Sequence, residues 1–187
     1  MITKESPLGG IKYGTIATVA IREIPSLPAF DLRVAPGTTS HAAIAEAFAL
    51  NLPVKTGQVG GSVLQESDAH ALSLAPDWWL VVGLDEVNQK LAPLLSQNEH
   101  HFSLVDVSGQ RTTIELEGPN VREVLAHLWE QDLREKSFPL ASVTQGLIAK
   151  APVIVWHIAP SRYRVMVRSS FAVHLWKALV DAVEEWV

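Results

Sequence analysis

Glu99, His100 and His101 form the tightest cluster of metal-ligating residue types in this 187-residue chain, and Glu184 and Glu185 set two carboxylates side by side. The first group would suit a divalent cation and the second acid–base work, but the spacing is wrong for both. Consecutive residues of a strand point to opposite faces, so His100 and His101 cannot close on one ion and read as a solvated strand entrance. Of the other five histidines, His127 and His174 fall on helical patterns and His157 on a strand pattern, and none of the three has a second histidine at i+4. Glu184–Glu185 sits where a terminal helix would turn a polar face to water. Gly57, Gly60 and Gly61 lack the Lys-Ser/Thr of a phosphate loop and read as a turn, and no Ser stands in a G-x-S-x-G elbow. No cysteine is present, which removes thiolate nucleophiles, disulfides and Cys-ligated zinc together. The residues by themselves assign no catalytic and no metal-binding residue.

Composition narrows the class. With 48% hydrophobic and 19% charged residues the chain can bury a real core. A net charge of −5, with 15 basic residues scattered singly along the sequence, argues against a nucleic-acid partner and against any single-sign patch. The opening M-I-T-K-E-S-P-L-G-G has no apolar signal core, and no run has the length of a membrane span, so the expected setting is cytoplasmic with no membrane partner.

The elements that would have to position any site read as a duplication. Leu74 to Gly83 are echoed by Ile158 to Val167, with Ala75-Pro76 and Ala159-Pro160 lying 84 positions apart. Each copy places Pro and a small polar residue between two apolar runs, the pattern of strand, tight turn, strand. At the same offset Phe30 to Arg33 falls on Ile114 to Glu117, alternating strands that each precede a helical pattern. The remaining strands are expected at Ile16 to Arg22, near Val63, at His70 to Leu74, Trp78 to Val82, Val143 to Ile148 and Val153 to Ile158. Phe102 to Val107 and Thr112 to Leu116 are expected to form a hairpin about Ser108-Gly109. Helices should follow Thr38 to Ser40, Asp85, Gly118-Pro119 and Ser169-Ser170, with Pro93 stopping or kinking the second. The fold class is therefore α+β, two similar halves of antiparallel or mixed sheet with packed helices. The expected organisation is a flexible segment 1–10, a first half 11–97 and a second half 98–187, together one compact domain.

Several motifs carry a family resemblance. L-A-P-D-W-W-L (Leu74 to Leu80, with Pro76 and Asp77), D-V-S-x-x-R (Asp106, Ser108 and Arg111), G-P-x-x-R-x-V-L (Gly118 and Pro119 to Leu125), Asp132-Leu133 with Phe138-Pro139, and V-R-x-S-F-A (Val167 to Ala172, with Arg168 and Ser170) resemble the gamma subunit of heterotetrameric sarcosine oxidase. That family is similar in fold to the N-terminal part of folate-binding aminomethyltransferases. The resemblance implies a non-catalytic subunit of a complex that demethylates sarcosine oxidatively to glycine and passes the one-carbon unit to tetrahydrofolate. Its partners would be the alpha, beta and delta subunits. FAD, FMN, NAD, zinc and tetrahydrofolate would belong to those partners and no cofactor to this chain. Asp132 stands where aminomethyltransferases keep a folate-contacting acid, but Gln131 precedes it where they favour Asn, and their downstream signatures are missing from Ser142 to Ile154. It reads first as a loop hydrogen-bonding residue. The alternative function is a stand-alone folate-binding or one-carbon-transfer protein of the same fold.

The tryptophans are the remaining candidates. Trp78 and Trp79 are consecutive on a strand and must face opposite ways, so one core cannot take both. Together with Trp176 and Trp186 on the last helix, they are the expected contributors to a subunit interface.

Overall fold

The computed structural model describes residues 5–25, 27–61, 68–96 and 99–187. The chain divides into two compact units, Met1–Ser26 with Gly109–Val187 (unit 1) and Leu27–Ser108 (unit 2). The expected break at 97/98 within one compact domain gives way to this nested arrangement, for a reason that lies in strand pairing.

Unit 2 holds β3 (Ala29–Val34), α1 (Thr39–Phe48), β4 (Val59–Gly61), β5 (His70–Ala75), β6 (Trp78–Val82), α2 (Val87–Ser96) and β7 (Phe102–Asp106), after β1 (Lys12–Thr15) and β2 (Val19–Ile24) of unit 1. Its sheet runs β4-β5-β6-β3-β7, antiparallel throughout. Unit 1 adds β8 (Arg111–Glu117), α3 (Val121–Leu128), β9 (Val143–Ile148), β10 (Ala151–Ala159), β11 (Arg162–Arg168) and α4 (Ala172–Val183). Its sheet is also antiparallel, in the order β1-β2-β8-β11-β10-β9.

The sequence echo is a structural one. The order strand, helix, three strands, helix occurs in both units, and cross-strand partners in one unit map onto partners in the other. Leu32↔Trp79 corresponds to Leu116↔Tyr163, and Ala75↔Trp78 to Ala159↔Arg162. Even the bulge between Ser73 and Ala75 reappears between His157 and Ala159. What differs from expectation is the outer partner. β7 pairs with β3 and β2 pairs with β8, so each unit takes that strand from the other sequence copy. The expected hairpin about Ser108-Gly109 is therefore absent, and that dipeptide is where the chain leaves unit 2. Ser108 Oγ accepts from Ala29 N at 3.0 Å and binds Asp106 Oδ1 at 2.6 Å, which fixes the crossover.

Each unit buries the helix-covered face of its sheet. In unit 2 Leu32, Trp79 and Val81 meet Ile44, Phe48 and Leu91; in unit 1 Leu116, Tyr163 and Val165 meet Val124, Leu125, Leu175 and Leu179. Thr38 caps α1, its Oγ accepting from His41 N at 3.3 Å. No serine side chain caps α4; a 3-10 turn over Ser169–Phe171 leads into it, and Phe171 is exposed. Pro93 lies inside α2, which ends one turn later at Ser96. The strand expected at Ile16 to Arg22 begins only at Val19, because Thr15–Thr18 form a turn that joins it to β1 and leaves Ile16 exposed. The strand expected near Val63 falls outside the described residues, β4 ending at Gly61.

Within the segment 1–10 that was expected to be flexible, the described residues 5–10 make specific contacts. Leu8 is buried, and the carboxylate of Glu23 accepts from Ser6 Oγ, Leu8 N (3.3 Å) and Gly10 N (2.6 Å). A buried carboxylate must find donors, and here the chain's own start supplies them.

Gly118 opens α3 at φ 137°, and a Cβ there would meet Thr18 O at 2.4 Å. No L side chain fits that backbone or that space. Gly118→Ala is expected to destabilise unit 1 by about 1–3 kcal/mol, read as a lower thermal midpoint. A midpoint equal to wild type would contradict this account of the loop.

Candidate functional site

The most unusual chemistry lies on the face of the unit 1 sheet opposite its helices. Glu115, between the core residues Ile114 and Leu116 on β8, has a fully buried side chain. Strand register sets Arg22 of β2 and Arg164 of β11 on either side of it, with Arg162 one step along. Glu115 Oε1 accepts from Arg22 Nε (3.0 Å), Arg22 Nη2 and Arg162 Nη2 (3.0 Å), and Oε2 accepts from Arg164 Nε (3.0 Å). Burial alone would push this carboxyl up; the three guanidinia outweigh it and hold it below the usual carboxylate range. Arg164 also lies over the Trp156 ring, 5.2 Å from its centroid. Sequence reading missed this group because its members look scattered. The legible signal was the period-two set of Glu115 and Glu117, alternating with Ile114 and Leu116, with Arg162 and Arg164 flanking Tyr163 at the same period.

Beneath that sheet an aromatic stack fills the core. His157 lies on Tyr163 (4.3 Å between centroids, 6° between planes), and Phe138 stacks on both. His157 Nδ1 is 3.1 Å from Phe138 O, while Arg122 Nε donates to Tyr163 Oη at 2.9 Å. Asp132 stands in the loop that carries Phe138. It accepts from Arg134 N (3.1 Å), Arg134 Nε (2.8 Å) and Ser137 Oγ (2.6 Å), and these donors hold its carboxyl well below its ordinary value. Its acceptor capacity is engaged by its own loop.

The tryptophan pair separates as strand geometry demands. Trp79 is fully buried, its ring 5.4 Å from that of His41 and its Nε1 donating to Pro53 O at 2.9 Å, so as an interface candidate it is corrected to a core residue. Trp78 faces the other way and is half-buried. Arg33 lies over its ring at 4.6 Å, and its Nε1 donates to Asp31 Oδ1 at 3.1 Å. Trp176 and Trp186 are partly buried against the unit 1 core. The five-part signature serves the backbone: Pro76-Asp77 turns β5 into β6, with Asp77 accepting from Arg33 (3.1 Å), Asp106 and Ser108 fix the crossover, Gly118-Pro119 opens α3, and Arg111 pairs with Arg168 across β8 and β11, beside Ser170. His101 N donates to Ser40 Oγ, and among the described residues no group of three or more His, Asp or Glu is placed to hold a metal ion. Nor is any helix among them long and apolar enough to cross a membrane.

Comparison with known proteins matches this architecture. Over 98% of its length the chain superposes on 96% of a chain from the structure described as heterotetrameric sarcosine oxidase from Corynebacterium sp. U-96 in complex with pyrrole 2-carboxylate, with a TM-score of 0.85 and 28% identity. Glycine cleavage system aminomethyltransferase T from Bartonella henselae shares the fold at a TM-score of 0.60 and 12% identity, covering 88% of this chain and 46% of that one. Sarcosine oxidase subunit gamma of Corynebacterium sp. (strain U-96) is 32% identical over 170 residues, 90% of this chain and 80% of that protein. The namesake subunit of Corynebacterium sp. (strain P-1) is 30% identical over 92% and 83%. The family model described as sarcosine oxidase, gamma subunit family matches residues 34–185, and the chain belongs to that family.

Proposed function

We propose that this chain is the non-catalytic gamma subunit of a sarcosine oxidase-type heterotetramer, acting in the cytoplasm as a scaffold for the subunits that carry the chemistry. The observation that carries the reading is the near end-to-end superposition on a chain of the Corynebacterium complex, far closer than that on the aminomethyltransferase fold. The alpha, beta and delta subunits are its partners, and FAD, FMN, NAD, zinc and tetrahydrofolate are theirs. Oxidative demethylation of sarcosine then needs from this chain a rigid, correctly shaped body rather than a reacting group. Its polar clusters fit that role: Glu115 is saturated by guanidinia and Asp132 by its own loop.

Affinity purification of the tagged chain from its native cells tests this. The expected result is recovery of three further subunits, a flavin absorbance and sarcosine-dependent peroxide release in the complex, with none of these in the chain purified alone. A colourless chain that never recovers partners yet binds tetrahydrofolate on calorimetric titration would establish the stand-alone folate-binding alternative instead.

A further inference from the structure

The arginines around Glu115 belong to a wider feature. In an antiparallel sheet directly opposed residues share a face, so the pairs Arg162↔Glu117, Arg164↔Glu115 and Arg168↔Arg111, with Arg22↔Glu115 from β2, set five arginines on one face against two glutamates. This concentration of positive charge occurs on a chain whose net charge is −5. Two glutamates stand among the arginines, Glu117 with 42% of its side chain exposed and 3.8 Å from Arg162 Nε, so the face is net positive rather than single-sign.

The fold does not demand it. At the 84-residue offset, the positions of Trp156 and Arg164 are filled in unit 2 by Leu72 and Leu80, both fully buried, with the same strand pairing. An apolar pair therefore satisfies the Trp156–Arg164 site in the sheet, while the position of Glu115 is again acidic in unit 2, as Asp31, so it is the arginine rather than the carboxylate that this strand pairing leaves free to vary. Nor does Glu115 use up the donors that surround it. Its two oxygens take Arg22 Nε and Nη2, Arg162 Nη2 and Arg164 Nε, and the guanidinia reach solvent to graded extents: 49% of the Arg22 side chain, 34% of Arg162 and 18% of Arg164 is exposed. Glu115 thus acts as an anchor that orients planar donors whose outer edges remain available for bidentate bonds to carboxylates.

We propose that the solvent-reaching guanidinia of Arg22 and Arg162, at the open end of this face of β2, β8 and β11, dock an acidic segment, rich in Asp or Glu, of another subunit of the complex, a proposal that rests on the reading of the chain as a gamma subunit. Charge complementarity of this kind speeds encounter and fixes register.

An arginine-selective dicarbonyl reagent, read by peptide mass spectrometry on the wild-type chain and on the purified complex, provides a test that needs no variant. Arg22 and Arg162 should react about tenfold more slowly in the complex than in the free chain. In parallel, Arg22→Gln should weaken assembly about tenfold at low salt and approach wild type at high salt, where screening removes the contribution. Arg22→Lys, which keeps the charge, should assemble better than Arg22→Gln. Equal reactivity of the arginines in free chain and complex overturns the proposal while leaving the subunit reading intact. Failure of the wild-type chain to recover any partner overturns both. Protection of the free chain by inorganic phosphate alone, with none added by assembly, marks a small-anion site and also overturns it. An assembly defect of Arg22→Gln that is independent of salt assigns the arginines to the fold alone, with the same consequence.

Discussion

Glu115→Gln is expected to be among the most damaging single substitutions in the chain, lowering stability by about 3 kcal/mol. The change is isosteric, so no cavity is made. It removes the one fully buried charge that Arg22, Arg162 and Arg164 share, and leaves three guanidinia facing a neutral amide. The figure is set at the low end for breaking a buried ion pair because the arginines reach solvent and are partly screened. The sign of the pH dependence follows from the depressed folded-state pKa. Such a group contributes stability above its unfolded value, about 4.3 for a glutamate, and loses it as pH falls through the folded value. Denaturant unfolding at pH 7 and below pH 4 should therefore show a large gap between wild type and variant that narrows in acid. A gap that stays constant across this range would mean that Glu115 acts through packing rather than charge.

Trp79→Ala should cost about 3–5 kcal/mol, the range for deleting a buried aromatic side chain. Trp79 has no exposed surface, packs in the unit 2 core, lies against His41 and donates its indole N–H to Pro53 O. Its counterpart in unit 1, Tyr163, is equally buried and pairs with Leu116 as Trp79 pairs with Leu32, so the position anchors both units. Trp78→Ala should leave the fold in place, costing about 1 kcal/mol for the Arg33 cation–π contact and the bond to Asp31. If Trp78 serves assembly, its loss will appear as reduced recovery of partner subunits at an unchanged thermal midpoint. Unfolding of the Trp78 variant, or a Trp79 variant as stable as wild type, would reverse the assignment of core and surface.

The elements themselves were legible because their signals are local. Alternation at Phe30 to Val34, Pro-led turns at Pro76 and Pro160, and near-four-residue spacing through Leu175, Leu179 and Val183 each depend on a few neighbouring residues. The equality of the two copies at a constant offset was legible for the same reason, and it carried the duplicated α+β architecture. The signature motifs were legible as short local patterns, at turns, at the crossover and at Gly118, where the backbone admits no other residue type.

Partner choice was not legible. Phe102 to Asp106 has the same alternation whether it folds back on β8 as a hairpin or pairs with β3, and tertiary structure chose β3. That choice moved the unit boundary from 97/98 to 26/27 and 108/109, and made residues 5–10 part of unit 1 through Glu23. The same non-local pairing gathered Arg22, Arg162 and Arg164, separated by up to 142 positions, around Glu115. Sequence by itself determined which segments are strands and helices, that they repeat, and which family they form, because backbone conformation and side-chain periodicity are set by near neighbours. Only the tertiary structure decided which strands lie side by side, and hence which charges meet, because register between distant strands is fixed by burial of whole faces at once.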